Sequence, residues 1–460
     1  MALADYTESS KMREFVRTRV REWLAGEHLL MRRMAGIAVI IRVSSSALVF
    51  LSQIFLARWM GSYEFGLFVY VWTWLLLLGD IVPLGVPITA QRFIPEYTQG
   101  GKFDLLRGYL VGSRWITFAL GTGVAILGAA VVWLSGAALD RHLIVPLYFA
   151  CIALPFYALA FMLDSLARTY DWVNLALVPT YLLRPLTLVA VMAFAHFTGL
   201  ATDAATAMGA VAFGTWLNAL IQLVLLDRRL AHKVPPGPKA YDVRLWFVTS
   251  LPIVAVWGLY TLLIYTDVLV LKQFRPADEV AHYYAASKTL ALVSIVYFSV
   301  AMAAAHHFTT YYVSGDRAGL AAFAASSVRW IFWPSIAVTV LLLALGKPIL
   351  MLFGQNFVAA YPVMFILAVG LLARASVGPA ERMLNMLGQQ RLCALAYAAA
   401  FAVNITGCLL LAAPFGGMGV ASATAGAFVV ESTLLFLIAR YRLGLHMFIW
   451  PRRQLASAHS

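Results

Sequence analysis

Long apolar runs, separated by short polar ones, dominate this chain from about residue 35 to residue 440. A membrane-crossing helix needs about 20 apolar residues, because the hydrocarbon core is about 30 Å thick and a helix rises about 1.5 Å per residue. Twelve stretches qualify, at about 35–57, 65–88, 114–135, 143–165, 174–196, 205–226, 246–270, 282–305, 330–352, 358–378, 392–412 and 418–440. The segments between them reach at most about 25 residues, too short for a soluble catalytic domain. The pattern predicts an all-α integral membrane protein of twelve transmembrane helices.

The pattern also repeats. Residues 56–116 align without a gap to 271–331, an offset of 215, with 12 identities over 61 positions. Among them are Leu56/Leu271, Glu64/Glu279, Phe93/Phe308, Tyr97/Tyr312, Gly100/Gly315 and Arg114-Trp115-Ile116/Arg329-Trp330-Ile331. Chance in so apolar a chain would give roughly half that. Six spans per half keep both halves in the same orientation, so the pseudo-two-fold axis stands along the membrane normal. The expected organisation is an arm 1–33, a first lobe 34–226, a basic linker 227–245, a second lobe 246–440 and a tail 441–460. The proline-rich linker is the natural joint between lobes.

Composition agrees: 62% of residues are hydrophobic and 12% charged, against about 25% charged in soluble domains. The net charge of +13 does not point to nucleic acid. Of 34 Lys and Arg, 25 fall in the N-terminal arm, the inner loops or the tail and five on or beside outer loops, which is the positive-inside bias. Both termini are therefore expected in the cytoplasm, with the chain in the inner (plasma) membrane. Lys11 to Leu30 reads as a basic amphipathic helix resting on membrane lipids. Cys151, Cys393 and Cys408 all fall inside spans and form neither a disulfide framework nor a zinc spacing. A phosphate-cradling P-loop is missing, so no ATP hydrolysis, no catalytic residue and no cofactor are expected. His306-His307 suit the interface better than a metal.

Ionisable residues inside spans carry the candidate chemistry, since each costs roughly 2.5–3.5 kcal/mol to insert and tends to face a cavity or a partner. The cations are Arg42, Arg184, Lys288 and Arg374; the acids are Asp80, Asp164, Asp267 and Glu431. Arg42, Ser46 and Gln53 share one face of the first span, and Thr180, Arg184 and Thr187 one face of the fifth. Such stripes suit a polar lumen for an anionic substrate, arginine's planar fork matching phosphate. The other reading is a buried salt bridge with Asp80 or Glu431 that only holds helices together. Lys288 is a further lumen cation or snorkels to the surface; Arg374 lies close enough to the inner surface to snorkel. Asp164 and Asp267 read as helix-end acids. Asp80, Glu431 and Asp267 are the candidates for H+ or Na+ coupling.

Three stretches carry a family resemblance. Leu56-Ala-Arg-Trp-Met-Gly61 with Tyr63-Glu-Phe-Gly-Leu67 resembles the G-x-x-E-Y/F-G hairpin between the first two spans of polysaccharide-type flippases. That superfamily also contains the multidrug MATE exporters and the lipid II flippase. Ser250-Leu-Pro252, Asp267 and Tyr284-Ala-Ala-Ser-Lys288 are similar to its seventh and eighth spans. Asn404, Pro414-Phe-Gly416, Gly419, Ala421 and Ala423 are similar to its closing segment. The resemblance implies a V-shaped bundle of two six-helix lobes around a cationic cavity. It also implies export of undecaprenyl-pyrophosphate-linked oligosaccharides for surface polysaccharide, alongside a polymerase and chain-length proteins. The alternatives are a cation-coupled drug exporter, whose cationic cargo Arg42 and Arg184 would repel, and a membrane polymerase or ligase, for which the outer loops are too short.

Overall fold

The computed structural model describes residues 44–136, 139–297 and 316–449, together with 300, 304, 308, 311 and 314. The N-terminal amphipathic segment, Arg42, His306-His307, Tyr312 and Gly315 lie outside the described residues. In chain order the helices are α1 (Ser44–Gln99), α2 (Phe103–Ser135), α3 (Arg141–Thr169), α4 (Val173–Thr198), α5 (Ala204–Lys233) and α6 (Val243–Phe274). After these come α7 (Ala277–Ala291), α8 (Arg317–Ala344), α9 (Gly346–Phe353), α10 (Tyr361–Val377), α11 (Ala380–Met386) and α12 (Gln390–Leu443).

Among the described residues, nine helical stretches are long and apolar enough to cross a membrane. Two are too long for one crossing, α1 at 56 residues and α12 at 54. Glycine breaks both. Gly61 takes φ 78° in α1, and Gly416 takes φ 57° with ψ −135° in α12, just after Pro414. A side chain is disfavoured in these left-handed conformations, so glycine is the residue that lets the chain turn there. The result is a multi-pass membrane protein with apolar hairpins at either end of the sequence. Aspartates start four helices: Asp140, Asp203, Asp242 and Asp316 accept backbone N–H groups in the first turns of α3, α5, α6 and α8. Several acids between spans are thereby explained as caps.

The internal repeat is a structural one. Leu56 and Leu271 are both fully buried, as are Phe93 and Phe308. Trp115 and Trp330 are 67% and 68% exposed, as expected of rings at a lipid–water boundary. Arg114, next to Trp115, turns inward to pair with Asp227 in the last two turns of α5.

Packing distinguishes the two ends of the bundle. Near Gly61 (the hairpin end) one continuous core draws on both lobes, running from Phe65 and Phe68 through Tyr283 and Tyr284 to Phe353 and Phe357. At the other end, where the linker lies, the cores separate. One is built on Phe93, Tyr97 and Tyr109 of the first lobe, the other on Phe308, Val328 and Met383 of the second. A V of two lobes, joined at the hairpin end and parted at the linker end, results from that division.

The linker is not a loose joint. Arg107 on α2 donates to the carbonyl oxygens of Pro238 at 2.7 Å and Pro235 at 3.0 Å, and the Ala240 N–H donates to Asp104 O at 2.9 Å. Gly108 leaves room for the Ala240 carbonyl, which any side chain there would strike. Trp246, fully buried, then docks α6 onto the first lobe, its indole N–H meeting the Tyr97 hydroxyl at 3.2 Å. Linker and entrance to α6 are one body with the first lobe.

Candidate functional site

The polar groups form a band, a chain of neighbours that joins the two lobes. On the first lobe, α4 contains one π-helical turn, Pro179–Leu183, immediately before Arg184. Such a turn inserts an extra residue and rotates the rest of the helix, and it is often found at functional sites. The Arg184 guanidinium lies 5.5 Å from the centre of the Trp72 ring and 5.0 Å from that of Tyr157. Asp80 is near enough to interact with it electrostatically but closes no ion pair. One side of the guanidinium is also within hydrogen-bonding reach of the Tyr157 hydroxyl. The aromatic faces hold it without consuming further N–H donors, which leaves the rest of the planar group for an anion.

Thr180 and Thr187, on the same predicted stripe, have other engagements. Thr180 donates to Asp164 at 3.0 Å, and Thr187 donates back to Leu183 O at 2.8 Å while packing against Gly214 on α5. Asp164 also accepts from Gln222 at 2.5 Å, making a buried network of α3, α4 and α5. Asp164 is therefore an interior hydrogen-bond centre as well as a helix-end acid. Gln222 and Asn218 went unnoticed from sequence, although Thr215, Asn218 and Gln222 make a polar stripe on α5 as readable as that on α4. On α1, Ser46 is half-buried and Gln53 is 6% exposed, its Oε1 without a hydrogen-bond partner.

On the second lobe, Lys288 sits 4.9 Å from the centre of the Tyr284 ring. Asp267 is 5% exposed and accepts from the Tyr283 hydroxyl and the Val268 N–H, both at 2.7 Å. Close by, Asn404 donates to Thr424 at 3.2 Å across the two arms of α12. Tyr265, on α6, joins the two sides: its hydroxyl is within electrostatic reach of Asp80 and Tyr157 in one lobe and of Tyr284 in the other. From Arg184 to Lys288 the band thus runs through Tyr157, Asp80, Tyr265 and Tyr284.

Arg374 and Glu431 form a second ionic site, linked to Tyr265 of the band through Tyr260. Arg374 was expected to snorkel; instead it turns into the second lobe and pairs with Glu431 at 3.2 Å. Its guanidinium lies over Phe428 at 4.8 Å and Tyr260 at 5.8 Å. These aromatic and carboxylate partners outweigh the hydration that a shallow arginine would otherwise seek.

Comparison with known proteins agrees with this architecture. The family described as "Polysaccharide biosynthesis protein" matches residues 33–306. An inward-facing multidrug resistance MATE transporter of the MOP superfamily superposes with a TM-score of 0.71 at 14% identity, covering 88% of this chain and 98% of its own. The lipid II flippase MurJ, in an inward closed conformation, gives 0.68 at 16% identity, covering 88% and 87%. A MOP-superfamily transporter from Pyrococcus furiosus, noted for the reverse polarity of its binding pocket, gives 0.65 at 15% identity, covering 89% and 95%. At such identities the likeness is one of fold. No curated protein matches the chain.

Proposed function

Since the chain belongs to the polysaccharide biosynthesis protein family, we propose that it is a flippase for undecaprenyl-pyrophosphate-linked oligosaccharides destined for surface polysaccharide. The linker end faces the cytoplasm, and twelve passes carry both termini there. The sugar and pyrophosphate occupy the space between the lobes while the prenyl tail stays in lipid. Access alternates as the hairpin end opens and the linker end closes.

The observation that carries this reading is the band from Arg184 to Lys288. It offers a cation on each lobe, one of them a planar donor fork, with aromatic rings between them. Pyrophosphate suits the cations, and sugar rings suit the aromatic faces. Arg42, Ser46 and Gln53 extend the proposed lumen along the first span, and Thr180 and Thr187 along the fifth. No chemical bond is made or broken in this process.

A deletion strain tests the reading. Loss of surface polysaccharide, with lipid-linked repeat units accumulating on the inner leaflet, is expected. Normal polysaccharide with heightened drug sensitivity would replace this reading with that of a drug exporter.

A further inference from the structure

The acids buried in the second lobe differ in how well their oxygens are satisfied. Asp267 has a donor on each of its two oxygens. Glu431 is different. It is 2% exposed, Arg374 holds its Oε1, and its Oε2 has no hydrogen-bond partner.

Beside it is a small cleft at the linker end, lined by Tyr297, Arg374, Gly378, Glu381, Glu431 and Ser432. The chain builds this cleft by ending α10 at Gly378, whose φ of 60° turns the backbone sharply into α11. Any side chain at position 378 would strike Val328 on α8, so glycine also permits the close approach. The turn brings Glu381 to the same cleft as Glu431.

The groups facing Glu431 come from every element packed around it. They are Tyr260 of α6, Tyr297 of the segment after α7, Arg374 of α10, Glu381 of α11, and Tyr397 on the other arm of α12. Two carboxylates thus line one cleft with a single guanidinium, which pairs with Glu431, while Glu381 accepts from Asn385 at 3.1 Å. The Tyr397 hydroxyl, 1% exposed, is also without a partner. An excess carboxylate with an orphan oxygen in a dry interior is stabilised by gaining a proton.

We infer that Glu431 is a reversible proton-binding site of the second lobe, loaded from the linker-end cleft and held in place by Arg374. The proton adds to Oε2, forming an O–H bond there, and leaves by the same cleft when that bond breaks. Arg374 keeps its hydrogen bond to Oε1 in both states. A metal cation is disfavoured, because Arg374 already places a positive charge on the carboxylate and no metal-holding group of His, Cys, Asp and Glu occurs among the described residues. An anion is disfavoured by Glu381 and Glu431 together. With the proton bound, one carboxylate and one guanidinium balance and the cleft can close. With the proton lost, the surplus charge favours an open, hydrated cleft. Proton binding stands independently of the cargo; its use to drive export rests on the flippase reading.

Difference infrared spectroscopy of the full chain in lipid nanodiscs, titrated with acid, tests this directly. The expected result is a protonated-carboxyl component that grows as pH falls, is missing from Glu431→Gln when its spectrum is subtracted from the parent's, and is retained in Asp80→Asn. Arg374→Lys, which keeps a positive charge near Glu431, should shift the midpoint of that signal without abolishing it. Parent and Glu431→Gln spectra that titrate identically, or a midpoint unmoved in Arg374→Lys, would overturn the inference. If the deletion strain accumulates no lipid-linked repeat units, the cargo reading fails while this titration still decides the proton site.

Discussion

Glu64 and Glu279 do the same work in the two halves of the molecule. Glu64 accepts the N–H of Ala204, the first residue of α5, at 2.9 Å; Glu279 accepts the N–H of Gly417, the first residue after the break in α12, at 2.7 Å. Each glutamate of the repeat therefore caps the last helix of its own lobe, where unpaired N–H groups and the helix dipole favour a negative charge. Local partners hold them: His142 at 3.0 Å for Glu64, and Arg275 at 3.7 Å for Glu279. Replacing either by Ala should destabilise its lobe by about 1–2 kcal/mol, and Gln, which keeps an acceptor, should cost less. Thermal unfolding in lipid nanodiscs measures this; equal losses for Ala and Gln would show that charge, rather than the hydrogen bond, is what counts.

At the hairpin end a second contact ties the lobes together. Arg58 donates to Leu352 O at 2.6 Å and to Met351 O at 2.7 Å, at the C-terminal end of α9 where carbonyls lack helical partners. Ser62 and Asp278 add a hydrogen bond nearby. Arg58→Ala should shift the population toward an open hairpin end by about tenfold, the effect of roughly 1.4 kcal/mol. Distances between spin labels placed across that end report it. Superimposable distributions in the two proteins would assign the latch no energetic weight.

For Arg184 the expected outcomes are graded. Arg184→Glu should abolish polysaccharide export with the protein still inserted. Arg184→Lys keeps the charge and loses the planar fork, so partial function is expected. Trp72→Ala removes one of the two rings that hold the guanidinium and should fall between them. Complementation of a deletion strain, normalised to the protein in the membrane, reads all three. Full activity in Arg184→Glu would remove this residue from the site.

The loop before α3 should carry a pH signature. Asp140 accepts from the Tyr63 hydroxyl at 2.5 Å and from the His142 N–H at 3.0 Å. The tyrosine's hydrogen bond, foremost, holds the carboxyl below its ordinary range. A lowered folded value means that the stabilisation is complete above the unfolded value and fades as pH falls through the folded one. Tyr63→Phe should therefore unfold at a lower temperature than the parent at neutral pH, with the gap closing in acid. A gap independent of pH would trace the loss to packing.

Elements and symmetry were legible in the sequence because each is local or periodic. Apolar runs of fixed length mark the helices, and the offset of 215 pairs Glu64 with Glu279 and Trp115 with Trp330. Partners were not legible. Arg374 and Glu431 are 57 residues apart on different helices, and a helical wheel gives each a direction without a neighbour. In lipid both faces of a helix are apolar, so amphipathicity, which orients helices in soluble proteins, says little about which face meets which. The stripe from Thr180 to Thr187 assumed an even helical pitch, which the π-helical turn at Pro179–Leu183 breaks. Trp72 and Tyr157 gave no signal at all, being aromatic residues among many.

The attachment of Trp246 to the first lobe changes where mechanical work is done. At its start α6 is bolted to Tyr97 and Tyr109, and near its other end Asp267 is bolted to Tyr283. One continuous helix of 32 residues thus has a foot in each lobe, with Pro252 between them. Rocking cannot be taken up by slack in the connecting peptide. In the proposed transport cycle it would appear as flexure of a single beam, whose stiffness then belongs to the energetics of each turn of that cycle.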